Sequence, residues 1–257
     1  MAGKNFFVRT GLLIAVFLPG QTHGPVAGTV TTKDGQPISG VTVTAGRPYS
    51  PSHQQTTTNQ LGQFRLDHAG PVIYFSKDKL EPKAVVVRSK QGAIHIILEP
   101  PSDNLVVPVC RETDAGRQRI GWGKYGLQFN VIMHDVEILG GKPDVDYVRY
   151  VIKAKTGGKG YLELWFGPYA INALPEDDLL IQSDTFAQRY VVLSDGARVG
   201  MDSRGQKHDG RSWRQTAISG KGGSIYRDLS PEESSFFDPI VNSACLIPYP
   251  TRRINLP

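Results

Sequence analysis

From Leu127 onward the chain sets apolar side chains at every second position: Leu127, Phe129, Val131 and Met133, then Leu162, Leu164 and Phe166. A period of two gives an extended strand one inward and one outward face, whereas a helix repeats its apolar positions at three and four. Other β-branched and aromatic runs are short: Val26 to Val30, Val41 to Val43, Val72 to Ser76, Ala84 to Val87, Ile94 to Leu98, Tyr147 to Ile152 and Tyr190 to Leu193. Glycine, proline or aspartate bounds most of them, so the chain reads as mainly β. With 257 residues and 39% hydrophobic content it can build one large or two ordinary packed domains.

Local breaks in the pattern carry further expectations. The apolar phase shifts from Met133 to Val136 and Ile138, which predicts a β-bulge near His134-Asp135. Gly140-Gly141-Lys142-Pro143 predicts a turn. Near the end, Ser230-Pro231-Glu232-Glu233 offers a capping serine, a proline at the first helical position and a glutamate three after the cap. A short helix is expected there. Asp238-Pro239 reads as the start of a second helical turn, burying Ile240, Val241 and Ala244.

At the N-terminus, Lys4 and Arg9 precede the apolar run Gly11 to Leu18, which ends at Pro19-Gly20. This has the form of an export signal, assigned to residues 1–24, and the run is under half the roughly 20 residues that span a bilayer. The expected product is exported, extracellular or periplasmic, with no stable membrane anchor once the signal is removed. Cys110 and Cys245 are the chain's two cysteines. In an oxidising compartment they read most simply as one disulfide, with two buried thiols as the alternative. Prolines and small polar residues in Leu98 to Asn104 break the strand pattern, so residues 99–104 are assigned as a linker. A first domain at 25–98 then holds no cysteine, a second at 105–250 holds both, and 251–257 form a tail.

Within the first domain, Gly28-x-Val30, Asp34-Gly35-x-Pro37-Ile38-x-Gly40-Val41-x-Val43, Thr57-Thr58-Asn59 and Gly62-x-Phe64-x-Leu66 resemble the carboxypeptidase regulatory-like domain. The resemblance covers residues 25–98. It implies a seven-stranded immunoglobulin-like or transthyretin-like sandwich with a carbohydrate-binding-like fold, an accessory or adhesive module with no catalytic residues to transfer. Asn59 stands where the family has an acidic residue, and Arg47 to Gln55 lengthen the preceding loop. No family is assigned to the second domain, whose strand pattern fits a second sandwich or a jelly roll with a short C-terminal helix.

The net charge of +5 and pI near 9.1 favour acidic partners, but Lys and Arg alternate with Asp and Glu and form no dense basic groove, so no nucleic-acid partner is assigned. Gly121-Trp122-Gly123-Lys124-Tyr125-Gly126 has the spacing of a dinucleotide fingerprint, yet a strand rather than a helix follows it. Asp202, His208 and Asp209 form the densest set of oxygen and nitrogen ligands, and a solvated hairpin loop is the stronger reading of them. His134, Asp135 and Glu137 alternate between strand faces and do not converge. No catalytic residue, metal or cofactor is assigned.

Trp122, Tyr125, Trp165 and Trp213 are expected either to fill the core or to stack on sugar rings, with Asp202 and Arg214 bonding hydroxyls. On the strand Tyr161 to Phe166, the leucines take one face and Tyr161, Glu163 and Trp165 the other. The leading expectation is an exported, non-catalytic binding or structural protein for a glycan or protein ligand, its first domain serving as spacer or docking unit. The alternative is a secreted carbohydrate-active hydrolase drawing carboxylates from Glu163, Glu176, Asp177, Asp178 or Asp202. A third is an assembly module that adds its edge strands to partners.

Overall fold

The computed structural model describes residues 24–46, 54–88, 93–100, 103–111, 117–121, 126–143, 146–155, 157–168 and 175–247. Residues 1–23 of the segment read as an export signal, residues 47–53, Trp122 to Tyr125 and residues 251–257 lie outside them.

The first unit holds seven strands: β1 (Val26–Thr31), β2 (Thr42–Ala45), β3 (Gln54–Thr57), β4 (Gln63–Leu66), β5 (Val72–Ser76), β6 (Lys83–Val86) and β7 (Ile94–Ile97). They form two sheets, β4-β1-β7 and β3-β2-β5-β6, with Val30, Val43, Phe64, Leu66, Ile73 and Phe75 between them. The turn after β1 forms at Asp34-Gly35, where Gly35 takes φ 78° and its N–H donates to the Thr32 carbonyl at 3.0 Å. In the turn before β4, the Asn59 Oδ1 accepts from the Leu61 and Gln63 N–H groups at 3.0 and 2.9 Å. An amide oxygen thus does there what a carboxylate oxygen would do.

The second unit contains β8 (Leu105–Val107), β9 (Arg117–Gly121), β10 (Leu127–Ile132), β11 (Val136–Pro143), β12 (Val148–Ala154), β13 (Tyr161–Phe166), α1 (Asp177–Ile181), β14 (Ser183–Leu193), β15 (Arg198–Lys207), β16 (Ser212–Ile218), β17 (Gly222–Leu229), α2 (Pro231–Asn242) and β18 (Cys245–Leu246). An eight-stranded sheet in the order β11-β12-β13-β17-β16-β15-β14-β8 faces a three-stranded sheet, β18-β10-β9. Helix α2 packs with the three strands to complete the second layer, and Phe129 of β10 meets Phe166 of β13 edge to face at 5.9 Å across the core. Runs of sequential hairpins make the large sheet a meander, so the layered sandwich describes it and the jelly roll does not.

Two local expectations are corrected. Met133 to Asp135 form a turn by which the chain leaves the small sheet at β10 and enters the large one at β11, so the phase shift marks a change of sheet rather than a bulge. Gly140 and Gly141 lie within β11 at φ 94° and 92°, and the strand pairing shifts register between Gly140 and Pro143. The irregularity is in the strand and no turn forms there.

Helix α2 starts as its sequence predicts. The Ser230 Oγ accepts from the Glu233 N–H at 3.2 Å, and the Glu233 Oε2 accepts from the Ser230 N–H at 2.9 Å. The helix then continues through Pro239 to Asn242 as one element, giving up the bond that an N–H at 239 would make to the Ser235 carbonyl. It buries Ile240 and Val241, with Ala244 just beyond its end. Ser230→Ala is expected to cost about 1 kcal/mol, read as a melting temperature lower by roughly 2–4 °C. An unchanged melt would show that the cap contributes nothing.

The two cysteines pair, as one of the two readings expected. Cys110 follows β8 and Cys245 opens β18, their Cα atoms 4.9 Å apart, so the bridge joins the edge of the large sheet to the small one. Backbone bonds from the Cys110 N–H to the Leu246 carbonyl and from the Leu246 N–H to the Pro108 carbonyl, both 2.9 Å, flank it.

The two units are docked against each other. Strand β5 buries both its faces: Ile73 and Phe75 enter the first sandwich, while Val72 and Tyr74, with Ala84, pack on Leu179, Leu180 and Trp213. Coverage on both sides explains why Val72-Ile73-Tyr74-Phe75 is continuously apolar rather than alternating. Arg198 pairs with Asp78 across the joint at 2.9 Å.

Candidate functional site

Cross-strand register sorts the side chains of the large sheet into two faces. Leu164, Ser224, Thr216, Asp202 and Arg189 lie in one row across β13, β17, β16, β15 and β14, on the face turned toward α2. Leu162, Tyr226, Arg214, Arg204 and Ala187 form the next row on that face. Strand pairing and the helix above therefore bring together polar groups that are distant in sequence.

Asp202 and Arg214 are only 1% and 2% exposed. The Arg214 Nε and Nη2 donate to the two Asp202 carboxylate oxygens at 2.9 and 3.1 Å, and its Nη1 and Nη2 reach Asp238 at 2.8 Å and Asn242 at 2.7 Å on α2. The Thr216 hydroxyl and the Arg189 Nε also donate to Asp202, at 2.5 and 2.8 Å, while the Tyr226 hydroxyl donates to the Asp238 Oδ1 at 3.0 Å. Arg189 extends the network to Asp103 at 2.5 Å.

Burial pushes the Asp202 carboxyl up, but the Arg214 charge and the hydrogen bonds from Arg214 and Thr216 outweigh it and hold the carboxyl below its ordinary value. Burial likewise works against the Arg214 charge, and Asp202 overcomes it, raising the guanidinium. Burial and then the Asp238 charge raise the Tyr226 phenol, which stays a donor. These three groups hold fixed protonation states at neutral pH and act as a clamp on α2.

This placement separates the residues expected to bind ligand. Asp202 and Arg214 come together, but each is enclosed and fully engaged, so neither offers a free atom to a sugar hydroxyl. Trp213 is wholly buried in the joint between the two units, where its Nε1 donates to the Ser183 Oγ at 2.7 Å, and it has no open ring face. Trp122 and Tyr125 lie outside the described residues.

Trp165 is different. It stands half-buried on the opposite face of the sheet from Asp202, near the β11 edge. Its Nε1 donates to the Glu163 Oε2 at 2.9 Å, and Arg149 grips the same carboxylate through Nε at 3.0 Å and Nη2 at 2.7 Å. The Arg149 guanidinium lies 5.1 Å from the indole centroid, and the Tyr147 ring stands 5.1 Å away, tilted by 38°. Three neighbours thus hold an indole that keeps only part of its surface in solvent, with Arg149 over its ring.

The other sites considered do not assemble. The His134 Nε2 lies 3.0 Å from the Asp135 Oδ1 in the turn between β10 and β11. His208 pairs with Asp184, and the Asp209 Oδ1 caps its own loop by accepting from the Arg211 N–H at 3.0 Å. Among the described residues no group of three or more His, Cys, Asp or Glu is arranged to hold a metal ion. Glu163 is taken by Arg149, and Glu176 by Arg227 at 2.6 Å.

Sequence reasoning missed the cleft beside α2. It measures about 450 Å³ and is lined by Thr185, Arg204, Gln206, Ser235 and Asp238, among others. The helix supplies one wall and β14 and β15 the other, so its residues come from segments whose proximity only tertiary packing creates. One signal was present: Arg204 follows Asp202 by two positions and therefore shares its face.

The two units are accordingly layered β-sandwich structures. Residues 25–93 match the family described as carboxypeptidase regulatory-like domain. Among curated proteins, none matches the chain.

Proposed function

We propose that the chain is an exported, non-catalytic binding protein whose second unit presents Trp165 to a glycan, with the regulatory-like sandwich docked on the same face of the sheet, toward its β14 edge, as a brace. The observation that carries this reading is the Trp165 indole, kept partly open while Glu163, Arg149 and Tyr147 fix its orientation. A preorganised aromatic face beside a guanidinium and a carboxylate suits a sugar, whose C–H face stacks while its hydroxyls bond to polar neighbours.

Export is supported by the disulfide, which persists in an oxidising compartment. Among the described residues no helix is long and apolar enough to cross a membrane. A binding rather than hydrolytic role is supported by Glu163 and Asp202, which lie on opposite faces of the sheet and are each held by arginine.

Titration of the purified protein against a panel of neutral and acidic oligosaccharides tests the reading. Trp165→Ala is expected to weaken binding of the best neutral ligand at least tenfold without lowering the melting temperature by more than a few degrees. Binding indifferent to this substitution, or turnover of any oligosaccharide, overturns it.

A further inference from the structure

Arg204 and Arg214 sit directly opposite each other on β15 and β16, a like-charged cross-strand pair. Arg214 takes Asp202, Asp238 and Asn242, and its charge is answered by two carboxylates. Arg204 is exposed and, among the described residues, makes no ion pair and no side-chain hydrogen bond. Its other cross-strand neighbour is Ala187, whose methyl leaves the guanidinium room. Arg204 lines both the 450 Å³ cleft beside α2 and an adjoining 180 Å³ cavity, in which Asp103 and Asp202 are already paired with Arg189.

Beside apolar Phe186, Ala187 and Pro231, the cleft around Arg204 offers acceptors and hydroxyls. Asp238 spends its Oδ1 on Arg214 and Tyr226, and its side chain is still 38% exposed, so Oδ2 is left toward solvent. The Gln206 Nε2 donates to the Gly210 carbonyl at 3.2 Å, which leaves Oε1 as an acceptor. Ser235 adds an exposed hydroxyl from α2. One unanswered cation beside fixed acceptors matches a ligand that carries an anionic group and several hydroxyl donors on one small frame. The clamp under α2 holds Asp238 in place before any ligand arrives, which lowers the cost of binding.

We infer that the cleft along α2 binds an acidic saccharide, its carboxylate on Arg204 and its hydroxyls on the Asp238 Oδ2 and the Gln206 Oε1. The volume lies within the range of small-ligand pockets. The inference shares with the proposed function the premise that the chain binds glycan, and adds a second site with its own chemical class.

The test uses the full chain with tetragalacturonate and its methyl-esterified counterpart, which keeps the sugar frame and ring hydroxyls but masks each carboxylate as a neutral methyl ester, titrated by calorimetry into the wild type, Arg204→Ala and Trp165→Ala. The wild type is expected to prefer the free acid, with affinity falling as salt is raised. Arg204→Ala is expected to lose at least tenfold, while Trp165→Ala keeps the affinity and both variants melt near the wild-type temperature. Equal binding of acid and ester, or an Arg204→Ala variant that binds the acid unchanged, overturns the inference. Loss with Trp165→Ala alone leaves the Trp165 reading standing and removes the cleft. Loss with Arg204→Ala alone is the expected result and leaves the Trp165 reading to its own titration with neutral ligands, while no binding of any saccharide removes both.

Discussion

Arg214→Ala is expected to destabilise the protein by about 3–5 kcal/mol, because it removes one side of a buried ion pair and leaves the other charge uncompensated. Asp202 would keep Arg189 and Thr216 but lose both of its bonds to Arg214, and Asp238 and Asn242 would lose the contact that ties α2 to the sheet. The melting temperature should fall by roughly 6–20 °C. A variant that removes both charges, Asp202→Asn with Arg214→Met, is expected to be more stable than Arg214→Ala, since no lone charge stays buried.

The pH dependence follows from the direction of the Asp202 shift. Its folded carboxyl titrates below the value of about 3.9 for an unfolded aspartate, so the contribution is complete at neutral pH. It is lost as pH falls through the folded value. Urea unfolding should therefore show a wide gap between wild type and Arg214→Ala at pH 7 and a narrower one in strong acid. Equal midpoints at pH 7 would mean that the network does not stabilise the fold.

Reduction of the Cys110–Cys245 bridge carries the second large effect. The bridge spans 135 residues, and the loop-closure model assigns on the order of 5 kcal/mol to a ring of that size. Cys110→Ser with Cys245→Ser should accordingly melt roughly 10–20 °C below the oxidised protein. Because the bridge joins β8 at the edge of the large sheet to β18 of the small one, hydrogen exchange should rise first in β8 and β18. A reduced protein with an unaltered melt would show that the flanking backbone bonds suffice.

Much of the architecture was legible because side-chain alternation reports burial directly. Leu162, Leu164 and Phe166 are fully enclosed, while Tyr161 on the same strand is exposed, as a period of two requires. The cap at Ser230 was equally clear, since its hydrogen bonds form within four residues. Alternation names a face and not a sheet, however, so the shift at Met133 to Val136 could not reveal that the chain crosses from one layer to the other. A glycine at positive φ serves a turn and a strand irregularity alike, which is why Gly140-Gly141 read as a turn.

The candidate site residues divide in the same way. Trp165 was placed by its neighbours in sequence on the strand face opposite the leucines, and Cys110 and Cys245 read most simply as partners in an oxidising compartment. Trp213, Asp202 and Arg214 had the residue types of a sugar site but went into the interior, because α2, α1 and the first sandwich close over the sheet from both sides.

Local chemistry in the chain was enough to specify strands, turns, the helix cap and the family likeness of the first unit, because each depends on interactions between residues a few positions apart. The docking of β5 on Trp213, the clamp of Asp202 and Arg214 under α2 and the cleft at Arg204 depend on which surfaces meet. They were settled when the sheets and helix packed, since that contact alone decides which polar groups are enclosed with a partner and which are left open to a ligand.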